Sequence, residues 1–293
     1  MRFAFVTPSY GPDVERCRLM CESVDRCTDP RVRHYVVVPR RDEPLFRPLA
    51  SDRRAVLAVE SVLPWWIRRV PVARRWWASL YTKPIRGWVL QQVVKLAATE
   101  FVADADAMLF LDSDTLFVRR LPMERLAPPG GGVRLARVPF NRGSVPEWTA
   151  NAKWMLGLPA DRDVPVVNYE GNFITWRLDV LRKLTAHLSA AHRGRHWIRV
   201  FARPWNVSEY MTYGVFAENV LGLEYAGHFP DDSRFVHQLW GADTVATAAQ
   251  FERELIALRP EQVAVMVYSK GNVPVDTYRG AVRKWWNDTL PPA

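Results

Sequence analysis

At 293 residues, 48% of them hydrophobic, the chain is long enough to bury a large core, and no run approaches the roughly 20 apolar residues of a membrane span. Its three cysteines, Cys17, Cys21 and Cys27, are odd in number and crowded together, which argues against a disulfide framework. A net charge of +9 selects no partner by sign alone, because nucleic acid, anionic lipid and phosphorylated substrates all suit a basic surface.

Residues 2–7 (RFAFVT) read as a first strand, and the apolar stretch of MRFAFVTPSY is too short for a signal peptide, so a cytoplasmic protein is expected. A Pro-Ser-Tyr-Gly-Pro loop follows, then a helix from about Asp13, whose carboxylate suits an N-cap. Cys17 and Cys21 fall on its apolar face beside Met20 and Val24. They read as buried thiols, since no fourth ligand lies at the spacing of a zinc site. Residues 34–39 (HYVVVP) give a second strand, so the chain opens with a βαβ unit, the start of a doubly wound sheet. After an apolar stretch at 55–63 comes WWIRRVPVARRWW at 65–77, four Trp and four Arg in thirteen positions. This mixture suits a membrane interface, a Trp-lined acceptor groove, or ordinary packing with arginines reaching to solvent; Pro64 and Pro71 break any long helix through it. Helices are expected at 87–101, 147–157, 178–191, 208–221 and 244–258, with short strands at 172–176, 234–239 and 263–268. No stretch has the composition of an interdomain linker, so one domain over 1–293 is expected.

The segment AMLFLDSDTLF at 107–117 is the most informative. Met108 to Leu111 form a continuous apolar run, the pattern of a strand covered on both faces, and Asp112, Ser113 and Asp114 sit at its C-terminal end. Open α/β sheets bind ligands at that end. Two acids one residue apart can hold a hard divalent cation and leave positions for phosphate oxygens. A solvated turn is the plainer alternative, Asp and Ser being common turn residues. No Gly-x-Gly-x-x-Gly or Walker A loop occurs, and Gly130, Gly131 and Gly132 follow two prolines as a connection.

An Asp-x-Asp after a hydrophobic strand resembles the metal and nucleotide-sugar signature of GT-A glycosyltransferases, and other segments strengthen the resemblance. It implies a single GT-A-like, Rossmann-like α/β domain with a mostly parallel central sheet flanked by helices, residues 1–120 forming the nucleotide-binding half and 121–293 the acceptor half. VTPSY is similar to the first strand and loop that seat the nucleotide base, which implicates Thr7, Pro8 and Tyr10. In KPIRGWVLQQVVKLAA, Arg86, Gln91, Gln92 and Lys95 fall within reach of one another, Gln91 and Lys95 sharing a face. Lys95, 17 residues before Asp112, best matches a donor-contacting basic residue of the family, and Arg86 and Gln91 are expected to bind the donor with it. Gly171 and Asn172 of YEGNFITWR resemble the segment behind the donor sugar. Ser208-Glu209-Tyr210 opens a helix where the superfamily often keeps a catalytic or acceptor-contacting carboxylate, which makes Glu209 the candidate catalytic group, although Ser208 as N-cap and Glu209 at the positive helix end also make structural sense.

His237 would join Asp112 and Asp114 as a third ligand to Mn²⁺ or Mg²⁺, with His228, Asp231 and Asp232 as nearby rivals. His187, His192 and His196 read as surface residues. The implied reaction moves one sugar from a nucleotide diphosphate donor to a hydroxyl acceptor (a sugar, a lipid-linked glycan or a small molecule). The chain lacks the Gln-x-x-Arg-Trp of processive synthases. A peripheral contact with the inner face of the membrane would fit residues 65–77, and no nucleic-acid partner is expected. The alternatives are a sugar-phosphate nucleotidyltransferase, disfavoured by the first loop, and a basic Trp-rich protein binding lipid or nucleic acid.

Overall fold

The computed structural model describes residues 1–70, 76–140 and 143–291. It is a mixed α/β chain whose central, mostly parallel sheet is flanked by helices. Five strands, β1 (Phe3–Pro8), β2 (Arg33–Val38), β3 (Arg54–Ala58), β4 (Ala107–Phe110) and β5 (Ile174–Arg177), follow the order β5-β4-β1-β2-β3. The mostly parallel sheet expected from the opening βαβ pattern is therefore present. The chain packs into two compact units, one of residues 1–6, 58–110 and 124–232, the other of 7–57, 111–123 and 233–293. Each unit takes segments from both sides of residue 120.

In the first unit β4 is parallel to β1, with Phe5 opposite Leu109, and antiparallel to β5, with Ile174 opposite Phe110. All four β4 residues are buried, as a strand covered on both faces requires. Beside it α2 (Gly87–Leu96) and α3 (Glu209–Val215) pack together, and every residue of α3 is buried. Aromatic side chains fill the space between sheet and helix: Trp176 stacks on Tyr213 at 4.5 Å and meets Phe110 edge-on at 4.7 Å. The Tyr213 hydroxyl accepts from the Arg177 amide at 2.9 Å and lies 2.7 Å from His228 Nε2. A helix then continues from α3 as a π-helical stretch over Phe216–Leu221, so the helix expected over 208–221 is present with a widened second half.

The described residues of the Trp- and Arg-rich segment include no helix. Ile67–Arg69, Trp76–Ser79 and Ile85–Arg86 form a three-stranded antiparallel sheet, with Arg69 opposite Trp77 and Trp76 opposite Arg86. Residues 71–75 of the expected 65–77 cluster lie outside the described residues. The period of two divides the rest: Ile67, Trp77 and Ile85 are buried, while Arg68, Ala78 and Arg86 are exposed.

In the second unit α1 (Val14–Cys27) buries Cys17 and Cys21 as expected, and all three cysteines are free thiols. Its N-cap expectation holds only in part. Asp13 occupies that place without a side-chain cap bond and lies 3.4 Å from Arg16 instead. A smaller sheet of Val236–Leu239, Ala264–Val267 and Thr115–Phe117 packs near α1, where the Phe117 amide donates to Ser23 Oγ at 3.0 Å. The Trp286 indole of α4 (Val275–Thr289) donates to the Phe117 carbonyl at 2.9 Å. Sequence reading missed α4 altogether. Among the described residues no helix is long and apolar enough to cross a membrane.

Gly214 shows how tightly α3 is packed. A Cβ there would fall 2.1 Å from Cγ of Tyr169, whose ring is itself buried. Gly214→Ala is therefore expected to cost about 1–3 kcal/mol of stability by overpacking, despite the better helix propensity of alanine. Urea unfolding measures this, and a variant as stable as the parent would show that the helix and Tyr169 are not in contact.

Candidate functional site

Each unit carries a cluster of polar groups that the core would not need. In the second unit, Asp112, Ser113 and Asp114 form the turn between the end of β4 and Thr115–Phe117. Ser113 Oγ donates to Ser9 Oγ at 2.8 Å, which ties the acidic turn to the loop after β1. Asp114 is fixed from another direction. Its carbonyl accepts from the Val267 amide at 2.9 Å and its Oδ2 from the Ser269 amide at 3.0 Å, so the smaller sheet delivers the loop of Ser269, Lys270 and Gly271 to the same carboxylate.

Burial pushes the Asp114 carboxyl up to about 6, and the charges of Asp112 and Asp13 push the same way against the Ser269 hydrogen bonds. Asp13 is raised as well, by burial first, with Arg16 opposing. A half-buried carboxylate repelled by two others is in the electrostatic state that a divalent cation relieves. Among the described residues no group of three or more His, Cys, Asp and Glu has the arrangement of a metal cage. That donor set fits an ion of the Mg²⁺ type, which takes one or two carboxylates and completes its shell with water and substrate phosphate.

The remaining positions expected here divide. Tyr10 is 48% exposed at the mouth of the first loop. Thr7 is fully buried with its hydroxyl 3.0 Å from His34 Nε2, so its side chain serves the core and only its backbone is left for a ligand. Pro8, the last residue of β1, is buried too. His237 lies opposite Val265 in the small sheet, and its Nε2 is 2.7 Å from Glu254 Oε2. The structure thus gives His237 a carboxylate partner and does not gather it with the two aspartates into a metal-binding group.

The cluster in the first unit centres on an ion pair. Lys95 Nζ, from the last turn of α2, is 3.1 Å from Glu209 Oε1 and donates to the Tyr210 hydroxyl at 2.5 Å. Both charged residues are about 5% exposed, so each compensates the other's loss of water. Ser208 caps α3 through its hydroxyl, as its sequence position predicts, accepting from the Met211 amide at 3.2 Å. The Glu209 amide donates to Gln92 Oε1 at 3.1 Å, and Gln92 Nε2 is buried with no hydrogen-bond partner. Gln92 is 2% exposed, whereas its neighbour Gln91 is half-buried.

Asn172 Nδ2 is a second buried donor without a partner. Asn172 precedes Phe173, whose φ of 61° is left-handed although its side chain is 1% exposed. Such strain persists only where packing over-determines it. Ile174, the next residue, pairs with Phe110, and the Phe110 ring centroid is 5.9 Å from Lys95 Nζ, so Asn172 enters at the same end of β4 as the ion pair. Gly171 carries no comparable signal, since a Cβ there would meet nothing nearer than 3.8 Å. Arg86 is not part of this cluster: it is exposed, with its guanidinium 4.3 Å from the Trp205 ring centroid.

Other histidines are structural. His228 is buried between Tyr213 and the Val133 carbonyl, and burial pulls it down to about 4. His187 and His192, expected at the surface, bond the carbonyls of Leu156 and Met155 at the end of the helix over Val145–Met155.

The Lys95–Glu209 pair makes a sharp stability prediction. Lys95→Met leaves a buried carboxylate without its cation and is expected to cost about 3–5 kcal/mol, whereas Lys95→Met with Glu209→Gln removes both charges and recovers most of that loss. Urea unfolding of the three proteins checks it. A Lys95→Met loss within the roughly 1 kcal/mol of an exposed ion pair would contradict the buried arrangement.

In comparisons with known proteins, the galactosyltransferase LgtC solved with donor and acceptor sugar analogues aligns over 99% of this chain and 97% of its own, at 13% identity and a TM-score of 0.46. Apo mouse xyloside xylosyltransferase 1 aligns over 94% of this chain and 100% of its own, at 8% identity and a TM-score of 0.48. An active-site mutant of LgtC aligns at 11% identity and a TM-score of 0.45, over 99% and 97%. No curated protein matches the sequence. A family model matches residues 6–288, nearly the whole length, and the chain belongs to that family, described as the family of unknown function DUF6492.

Proposed function

We propose that this chain is a metal-dependent glycosyltransferase that moves one sugar from a nucleotide diphosphate donor to a hydroxyl acceptor, with residues 1–293 acting as one catalytic module. The observation that carries the reading is the acidic turn after a fully buried strand, with Asp114 half-buried, its carboxyl raised, and tied to the Ser269 amide. Asp112 and Asp114 would hold a Mn²⁺ or Mg²⁺ ion, which when bound supplies positive charge against the diphosphate leaving group. Lys270, exposed beside Ser269, adds a cation suited to phosphate. Tyr10 offers an exposed ring to a nucleotide base.

In the other cluster, Gln92 Nε2 and Asn172 Nδ2 are donors suited to sugar hydroxyls, and their unmet hydrogen bonds favour a polar ligand over a purely structural role. Glu209 is assigned to the chemistry. In an inverting reaction it takes the acceptor's proton; in a retaining one its charge supports the oxocarbenium-like sugar. The Lys95 ammonium beside it compensates the carboxylate's burial and fixes its orientation.

Two measurements test this. Calorimetry with UDP, GDP, CDP and dTDP should find one that binds in Mn²⁺ or Mg²⁺ and at least about tenfold more weakly, some 1.4 kcal/mol, in excess chelator or in Asp114→Asn. Equal affinity with and without metal would reject the metal-bridged donor site. Turnover of that donor should fall about 10²–10⁴-fold in Lys95→Met with Glu209→Gln, while nucleotide affinity persists. Because this double variant keeps most of its stability, a rate close to the parent's would reduce the pair to a packing element.

A further inference from the structure

The positive charge of this protein is not spread evenly. No acidic residue occurs between Glu60 and Glu100, a stretch with seven Lys and Arg, or between Asp179 and Glu209, a stretch with six. The fold brings parts of both stretches together within the first unit. The outer face of the small antiparallel sheet presents Arg68, Trp76, Ala78 and Arg86. Trp205, from the second stretch, lies against that face: the Arg86 guanidinium is 4.3 Å and the Lys83 ammonium 5.6 Å from its ring centroid, and Trp76 meets it edge-on at 6.2 Å. A shallow groove beside it is lined by Lys83, Pro84, Arg86, Arg203, Pro204 and Trp205. Trp205 is nonetheless 47% exposed, and Trp65 and Trp88 nearby in sequence are 64% and 45% exposed.

We propose that this face docks on the anionic surface of a phospholipid bilayer. Indole rings take positions at headgroup depth, and guanidinium and ammonium groups beside them meet lipid phosphates, a pairing that neither water nor a hydrocarbon interior favours as strongly. The charge selects the occupant. A neutral glycan offers no charge to the cations of the patch, and the two stretches that build it contain no carboxylate to compensate them. Single-stranded nucleic acid needs open ring faces on which bases stack, and here Arg86 already covers a face of Trp205. With no helix among the described residues able to span a membrane, contact of this kind is peripheral and reversible.

The proposal does not depend on the transfer reaction, and its test uses no donor. The full chain is floated with vesicles of phosphatidylcholine and with the same vesicles containing phosphatidylglycerol, at about 0.15 M salt and again at about 1 M, where the screening length shrinks to about 3 Å. Binding is expected only with the anionic vesicles and only at the lower salt. Lys83→Gln with Arg203→Gln should weaken it by about fivefold for each cation removed. Trp205→Ala should weaken it too, whereas Trp240→Ala, which removes an exposed indole from the second unit, should not. Melting temperatures equal to the parent's confirm that the variants are folded. Equal recovery with neutral and anionic vesicles, no recovery with either, or undiminished binding by the Trp205 and Lys83/Arg203 variants would overturn it.

Discussion

A strand enclosed on every side constrains where this chain can put its polar groups. β4 is paired along both edges, to β1 and to β5, and its four residues are buried. Water reaches none of its backbone, so the ladder must be complete and each side chain must be apolar or small. Polar chemistry can therefore begin only where the strand stops. Asp112 and Asp114 follow within four residues of its end in the chain, while Asn172 lies two residues before Ile174, which pairs with its last residue, Phe110. Within the first unit the buried strand and the helices packed beside it hold the backbone around the unpaired amides of Gln92 and Asn172 in place.

Burial of charge has been handled in two opposite ways. The Lys95–Glu209 pair is self-compensating, so its energetic cost is met within the folded protein. The acidic turn is not: Asp13, Asp112 and Asp114 repel one another, and burial raises Asp114 further. The first arrangement holds a carboxylate in one orientation against its own cation. The second leaves burial and a repulsion that raise both Asp13 and Asp114 and that Arg16 and the Ser269 hydrogen bonds oppose without cancelling.

How much of this was legible in the sequence follows from the range of each interaction. The acidic turn was visible because four consecutive apolar residues and two aspartates lie within one short window. Ser269 and Lys270 were not, since a backbone amide reaches Asp114 across 155 residues and any side chain could sit on it. Gln91 and Gln92 are both visible in the sequence, but one residue turns a helix by about 100°, and only the packing of α2 on α3 decides which amide faces Glu209. The small sheet at and after the Trp and Arg run was not legible, because its strands are three, four and two residues long, too short to display alternation. Helix α4 did carry a signal, with Val275, Tyr278, Val282 and Trp286 at helical spacing, but polar residues dilute it.

Phe173 has a consequence for sequence variation. Its backbone is in the region that glycine and asparagine enter most easily, while its ring fills the interior next to β5. The two demands call for different amino acids. Glycine would relax the main chain and empty the space now filled by the ring; a branched aliphatic would fill some of that space and sit worse on the main chain. No residue satisfies both, so the position has few acceptable neighbours in sequence space, and chains that drift elsewhere on their surfaces are expected to stay fixed here, holding Asn172 at one place beside the end of the strand.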